Sequence, residues 1–337
     1  MINRIFQLTA PRMISVKYED LSFADRVIVR PEFMAVCHAD QRYYQGQRDA
    51  RVLRQKLPMA LIHECCGRVV YSPDARFSVG QPVVMIPNTP TRPEDCIYEN
   101  YREGSYFLSS GHDGFMRELV AIAPDRVLGC EGIDPMTAAI TEFFSVGVHA
   151  AGRFDRVAHE RRGAIGIWGD GSLAFVVANV LRARYPKSRL FIIGRQPRKL
   201  AQFSFVDDTF RAGDLPADLR VDHAFECCGG DGSTAAIEEI IGHIRPQGTL
   251  MLMGVSENQV PVTTRMVLEK GLTMVGCSRS GRADFEAAIE LMRAERTQRR
   301  LRTILSPEEP VRSIGDIHRV FESDRSTPFK TVFGWEV

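Results

Sequence analysis

Apolar and polar positions follow two different rhythms along this chain. From about Phe143 to Arg293, short apolar runs recur at Ala164–Trp168, Leu190–Gly194, Val221–Cys227, Thr249–Gly254 and Leu272–Cys277. Segments of helical period separate them, Ser233–Ile244 the clearest. Strand alternating with helix predicts an α/β domain, a doubly wound parallel sheet with helices on both faces. The stretch before it, roughly the first 140 residues, predicts irregular β structure instead. Its extended runs, Arg26–Val36, Gly67–Tyr71 and Gln81–Ile86, are separated by turns such as Ser72-Pro73-Asp74 and Val79-Gly80-Gln81-Pro82. After the alternating part come a helix near Ile314–Glu322 and a closing extended run, Thr331–Val337. A tail this short predicts a return to the first domain. The expected domains are 1–143 with 294–337, and 144–293.

One turn in the alternating part carries chemistry. The strand Ile165-Gly166-Ile167-Trp168 ends in Gly169-Asp170-Gly171-Ser172-Leu173-Ala174, and a helical segment, Phe175–Arg184, follows. This G-x-G-x-x-A pattern suits a dinucleotide pyrophosphate. Gly169 permits the sharp turn, Gly171 lets the backbone approach the phosphates, and Ala174 lets helix pack on strand. The free N–H groups at the helix start, around Ser172 and Leu173, offer donors to the anion. Glycine turns of this kind also occur without a nucleotide, so context has to decide. At the end of the next strand, an NAD enzyme usually places an acid about 20 residues beyond the loop. Here Gly194 takes that place, with Arg195, Arg198 and Lys199 beside it. A missing acid and a nearby guanidinium favour a 2′-phosphate, hence NADP, with Arg195 as the leading contact and Lys199 beside it.

Composition narrows the alternatives. The 337 residues are 44% hydrophobic and 25% charged, enough for packed cores in two domains, and the net charge of +1 offers no global field for nucleic acid or anionic membranes. The densest basic run, Arg293–Arg302, reads as the exposed face of a helix. No apolar run has the length of a membrane span and the first residues lack a signal-peptide core, so a cytoplasmic protein is expected. Eight cysteines form no C-x-x-C pair, which agrees with reduced, mostly buried thiols.

Upstream of the glycine loop stand Cys37, after an apolar strand, His63 in His63-Glu64-Cys65-Cys66-Gly67, and Glu142 on an otherwise apolar helical pattern. A thiolate, an imidazole and a carboxylate leave a tetrahedral zinc with one open position, as a catalytic metal requires. Asp40 and Glu64 are then expected to orient the ligands. Each residue alone has a plainer explanation: core cysteine, satisfied histidine, helix-edge acid. His63-Glu64 is not a zincin motif, because position 67 is Gly rather than His.

Cys37 with Asp40, His63-Glu64-x-x-Gly67-x-Val69, Gly111–Glu118 and the acid before Ser145-Val146-Gly147-Val148-His149-Ala150 resemble the zinc-dependent medium-chain dehydrogenases. The glycine loop, Phe225-Glu226-Cys227-Cys228-Gly229 and Gly248-Thr249-Leu250 continue the likeness in order. Within that superfamily, Gln41-Arg42-Tyr43-Tyr44, Lys56-Leu57-Pro58-Met59, Pro87–Thr91, Ser109–Phe115, Phe203–Asp208 and Ser278-Arg279-Ser280-Gly281 resemble the ribulose-5-phosphate reductases. The resemblance implies a GroES-like catalytic domain around the nucleotide domain, with the active site in the cleft. It also implies one catalytic zinc and NADPH-dependent reduction of D-ribulose 5-phosphate to D-ribitol 5-phosphate. That product supplies CDP-ribitol for wall teichoic acid or capsule, with a cytidylyltransferase as the usual partner and a homodimer as the common state.

The chain departs from the wider family at three points. Only Cys96 lies where relatives carry a cysteine-rich structural-zinc lobe, so no structural zinc is expected. Ala39 replaces a proton-relaying Ser or Thr, and Ile62 precedes the His-Glu pair where many relatives have Gly. Arg42, Tyr43 and Arg279 are placement-based candidates for the substrate pocket, and His112 for shaping the site. Two other readings remain at this stage: a zinc polyol dehydrogenase using NAD(P) on an unphosphorylated sugar alcohol, and a non-catalytic NADPH-binding scaffold.

Overall fold

The computed structural model describes residues 1–91 and 96–337. They form two compact units, 1–145 with 280–337, and 146–279.

The second unit is a six-stranded sheet, parallel throughout. Its spatial order is Asp208–Arg211, Arg189–Gly194, Ala164–Trp168, His223–Glu226, Thr249–Leu252, Thr273–Gly276. Numbered by appearance within the unit, that order is 3-2-1-4-5-6, the doubly wound arrangement with its switch point beside the first strand. The four inner strands are buried because helices cross over between them. Ser172–Arg184 and Gly232–His243 contribute Ala174, Phe175, Ala236, Ile237 and Ile240, all buried. Five of the six strands sit where the apolar runs predict. The sixth, Asp208–Arg211, has too few apolar residues to register as a strand, and it pairs only at the sheet edge.

The first unit is built on a mixed sheet in the order Val127–Gly129, Pro82–Met85, Glu64–Tyr71, Val27–Ala35, Lys330–Trp335, Leu305–Val311, with Val120–Ile122 also pairing Val27–Ala35. The closing strand lies antiparallel to Val27–Ala35, so the tail does return to the first domain. Beside this sheet, Ile2–Ala10 and Met13–Asp20 form a hairpin with Met59–Ala60 added to its edge. One apolar core, including Leu8, Met34, Phe115, Phe321 and Trp335, joins these layers.

The second junction falls at 279/280, before the expected 293/294. The helix Arg282–Arg293 has its partners in the first unit. The Arg282 amide donates to Glu99 Oε1 at 2.5 Å, its guanidinium donates to Asp125 O, and Tyr98 Oη donates to the Asp284 carboxylate at 2.9 Å. The helix Thr141–Val157 begins in the first unit and runs into the second.

Candidate active site

Four segments far apart in sequence converge inside the first unit. Cys37 leaves the end of strand Val27–Ala35 and N-caps the helix His38–Tyr44, whose first turn carries Asp40. His63 stands immediately before Glu64, which opens strand Glu64–Tyr71. Glu142 lies in the first turn of Thr141–Val157, and Lys330 opens the closing strand. Cys37 Sγ, a His63 ring nitrogen and a Glu64 carboxylate oxygen all lie within 4.8 Å of one another.

Two of these donors, His63 and Glu64, have a charged partner behind them. Asp40 Oδ2 lies 3.3 Å from His63 Nδ1, while Asp40 Oδ1 accepts from the Ile62 amide at 3.1 Å and from Ser109 Oγ. The carboxylate faces the ring at Nδ1 as an ion-pair partner without a hydrogen bond between them, and leaves Nε2 for other chemistry. Lys330 Nζ donates to Glu64 Oε1 and, at 3.0 Å, to Val36 O, and it sits 4.5 Å from the centre of the Phe143 ring. Glu64 Oε2 is buried without a partner. A buried carboxylate oxygen left bare costs free energy unless something meets it.

The electrostatics agree. Burial opposes the charged form of His63, but Asp40 and Cys37 outweigh it and hold its pKa well above the usual histidine value. Burial likewise opposes ionisation of Asp40, and His63, Ser109 and the Ile62 amide more than compensate. Glu64 is raised by burial despite Lys330, and burial lifts Glu142 to about 7 despite His63. The corner is short of positive charge, and its thiol, imidazole and carboxylate donors fit zinc.

The sequence pattern predicts Glu142 as the third ligand with Glu64 behind it. The structure groups Glu64 with Cys37 and His63, with Lys330 donating to its carboxylate; Glu142 is buried within electrostatic reach of the same groups. Lys330 and Ser109 escaped the sequence reading. Lys330 is 266 positions from its partner, and no local pattern marks it. Ile62 has φ +69°, in the left-handed region that favours glycine and strains a β-branched residue.

The substrate-pocket candidates fare unevenly. Tyr43 is a core residue, its ring beneath Arg48 and Lys56, so packing accounts for it. Arg42 is half-buried and its guanidinium reaches Gln47 O at 3.4 Å; Arg279 is half-buried with φ +58°. His112 packs against Tyr106 at 4.4 Å between ring centres. Cys96 is exposed, and the neighbouring residues 92–95 lie outside the described ones.

The nucleotide-type loop is in the second unit. Gly169 has φ +133°, and a Cβ there would stand 2.9 Å from Cys227 O. Gly171 differs: a Cβ there would meet nothing within 4 Å. No protein atom demands glycine at 171, which is what backbone left open for a ligand looks like. The helix Ser172–Arg184 begins at Gly171 with no side-chain cap, leaving its first N–H groups available. Glu226, at the carboxyl end of its strand, accepts from the amides of Cys228, Gly229 and Gly254 at 2.9, 3.0 and 2.9 Å. It thereby fixes two loops at the sheet edge where doubly wound domains bind ligands.

Residues 24–131 match the alcohol dehydrogenase GroES-like domain, and residues 205–294 match the zinc-binding dehydrogenases. A ribulose-5-phosphate reductase of Streptococcus pneumoniae is 54% identical over 340 residues, covering all of this chain and 98% of that protein. This chain belongs to the ribulose-5-phosphate reductases. The Bacillus spizizenii reductase is 47% identical over the full length of both chains. The crystal structure of S. aureus TarJ in complex with NADPH superposes on this reductase with a TM-score of 0.90 at 42% identity, covering both chains completely. L-Idonate 5-dehydrogenase of Escherichia coli, at 18% identity and a TM-score of 0.85, shares the fold.

Proposed function

We propose that this reductase transfers hydride from NADPH to the C2 carbonyl of D-ribulose 5-phosphate, giving D-ribitol 5-phosphate, and catalyses the reverse reaction with NADP. The observation that carries the reading is full-length identity of 54% to a ribulose-5-phosphate reductase, in a chain whose Cys37, His63 and Glu64 donors converge. Bound zinc supplies a Lewis acid for the carbonyl, and bound NADPH supplies the hydride. The chain's own residues do the positioning. Cys37, His63 and a carboxylate, Glu64 with Glu142 in reserve, hold the metal. Asp40 fixes the imidazole and Lys330 fixes Glu64. The Gly169–Leu173 turn receives the pyrophosphate, while Arg195 and Lys199 receive the 2′-phosphate. Arg42 and Arg279 are our candidates for the substrate phosphate.

We further infer a cytoplasmic homodimer whose product passes to a cytidylyltransferase making CDP-ribitol for teichoic acid or capsule. All eight cysteines are free and most are buried, which supports a reducing compartment. No helix among the described residues is long and apolar enough to cross a membrane.

NADPH oxidation by the zinc-loaded protein tests the reaction. D-ribulose 5-phosphate and unphosphorylated D-ribulose are offered in parallel, each with NADPH and with NADH. Turnover confined to the phosphorylated sugar and favouring NADPH supports the proposal. Equal turnover of the free sugar with NADH makes the protein a general polyol dehydrogenase.

A further inference from the structure

A carboxylate lies inside the glycine loop. Asp170 sits between Gly169 and Gly171, at the end of strand Ala164–Trp168. Its Oδ2 accepts from the backbone amides of Arg195 at 2.6 Å and Gln196 at 2.7 Å, just past the end of the neighbouring strand Arg189–Gly194. The two strands are paired in parallel, Trp168 opposite Ile193, so their ends emerge side by side. In doubly wound domains this junction is where the adenosine ribose lies.

Asp170 also determines what Gly194 can be. A Cβ at 194 would stand 2.5 Å from Asp170 Cβ and 2.8 Å from its Oδ2. No side chain fits there while Asp170 holds its place. The acid that NAD enzymes carry at this strand end is therefore sterically excluded, and with it a charge that repels a 2′-phosphate. Asp170's own charge is directed at two amides. Those amides belong to the residues that bring Arg195 to the junction.

We propose that Asp170 is a positioning residue for cofactor specificity: it keeps position 194 free of an acid and ties the Arg195–Gln196 backbone to the glycine loop, so that the Arg195 guanidinium is held for the 2′-phosphate of NADPH. The proposal rests on the NADPH reading above. It assigns selectivity to a residue that belongs by position to the pyrophosphate turn, and it makes Gly194 a consequence of Asp170.

Dissociation constants for NADPH and NADH, measured by titration calorimetry on the full-length zinc-loaded protein, test it without relying on turnover. Asp170→Ala removes the acceptor and should weaken NADPH by about tenfold, the worth of one hydrogen bond to a charged group, with NADH changed much less. Asp170→Asn keeps a carbonyl acceptor for the amides and should preserve the preference for NADPH. In the Arg195→Ala background, Asp170→Ala should have little further effect on NADPH, because Asp170 acts through Arg195. An equal loss for both cofactors in Asp170→Ala, tighter NADPH binding in that variant, or additive losses in the double variant each overturn the proposal. Loss of preference in Asp170→Asn, with its melting temperature unchanged, also overturns it. A wild-type protein that binds NADH as tightly as NADPH refutes the cofactor reading itself, a separate result.

Discussion

Two clusters, one in each unit, satisfy their ionisable groups in opposite ways. In the first, His63, Asp40, Glu64, Glu142 and Lys330 are set against one another, charge facing charge, and Glu64 Oε2 is left bare. In the second, Glu226 is satisfied by backbone amides and the Ser233 hydroxyl, and Asp170 by two amides. The histidines mirror this. His63 is held well above the usual value by Asp40 and Cys37 in spite of burial, whereas burial and neighbouring His159 push His223 down to about 4. An incompletely compensated cluster is a place for a cation. A fully satisfied one is scaffolding that leaves its open backbone for an anion.

The strongest way to break this contrast is at the metal corner. Cys37→Ala or His63→Ala should remove zinc and lower turnover by about a thousandfold or more, since several kcal/mol of transition-state stabilisation are lost. The NADPH dissociation constant should change little, because the two sites are built from different units. Metal analysis, initial rates and a binding titration on the same preparation check this, and a parallel loss of NADPH affinity would contradict it.

The Lys330–Glu64 pair comes next. Lys330→Met strands a buried carboxylate and should cost about 3–5 kcal/mol of stability in denaturant unfolding of the zinc-free protein. Adding Glu64→Gln should restore most of it. A single variant as stable as the parent would mean the pair is not buried as described.

His223 gives the opposite test in the second unit. Its Nδ1 lies 3.0 Å from the Thr249 amide and accepts from it, and its Nε2 faces His159 O at 3.2 Å, an arrangement that needs the neutral ring. With a folded pKa of about 4 against the ordinary histidine value of 6.5, the unfolded chain binds the extra proton between those pH values. Stability is complete above roughly pH 7 and falls as pH drops through 6.5 towards 4, by about 2 kcal/mol at pH 5. His223→Gln should flatten that slope in urea unfolding at pH 7 and pH 5; an unchanged slope would reassign it to other groups.

The smallest effect expected is at the cofactor end. Arg195→Ala should raise the Michaelis constant for NADPH by about tenfold and leave that for NADH nearly unchanged. Equal effects on both would remove Arg195 from the 2′-phosphate.

The same contrast explains what could be read from sequence. The nucleotide-type unit is written locally: apolar runs of strand length, a glycine turn between strand and helix, a missing acid one strand later. Its function-bearing residues lie within one strand–helix–strand stretch. The metal corner draws on positions 37, 40, 63, 64, 142 and 330, and spacing alone does not distinguish these from core residues. Residue chemistry makes Cys37, His63 and Glu142 candidates and the family resemblance favours them, but neither marks Lys330 as the partner of Glu64. The Ile2–Ala10 and Met13–Asp20 hairpin was equally hidden. The second strand is mostly exposed, with alternating half-exposed positions rather than an apolar run, and Arg12 at φ +60° turns the chain without a glycine.

The most direct test of the account is removal of zinc by a chelator, with cofactor binding and turnover followed on one sample. The stripped protein should still bind NADPH with its original affinity, fail to reduce D-ribulose 5-phosphate, and recover its rate as one equivalent of zinc per chain is restored. Reduction at the original rate with zinc at background would contradict it.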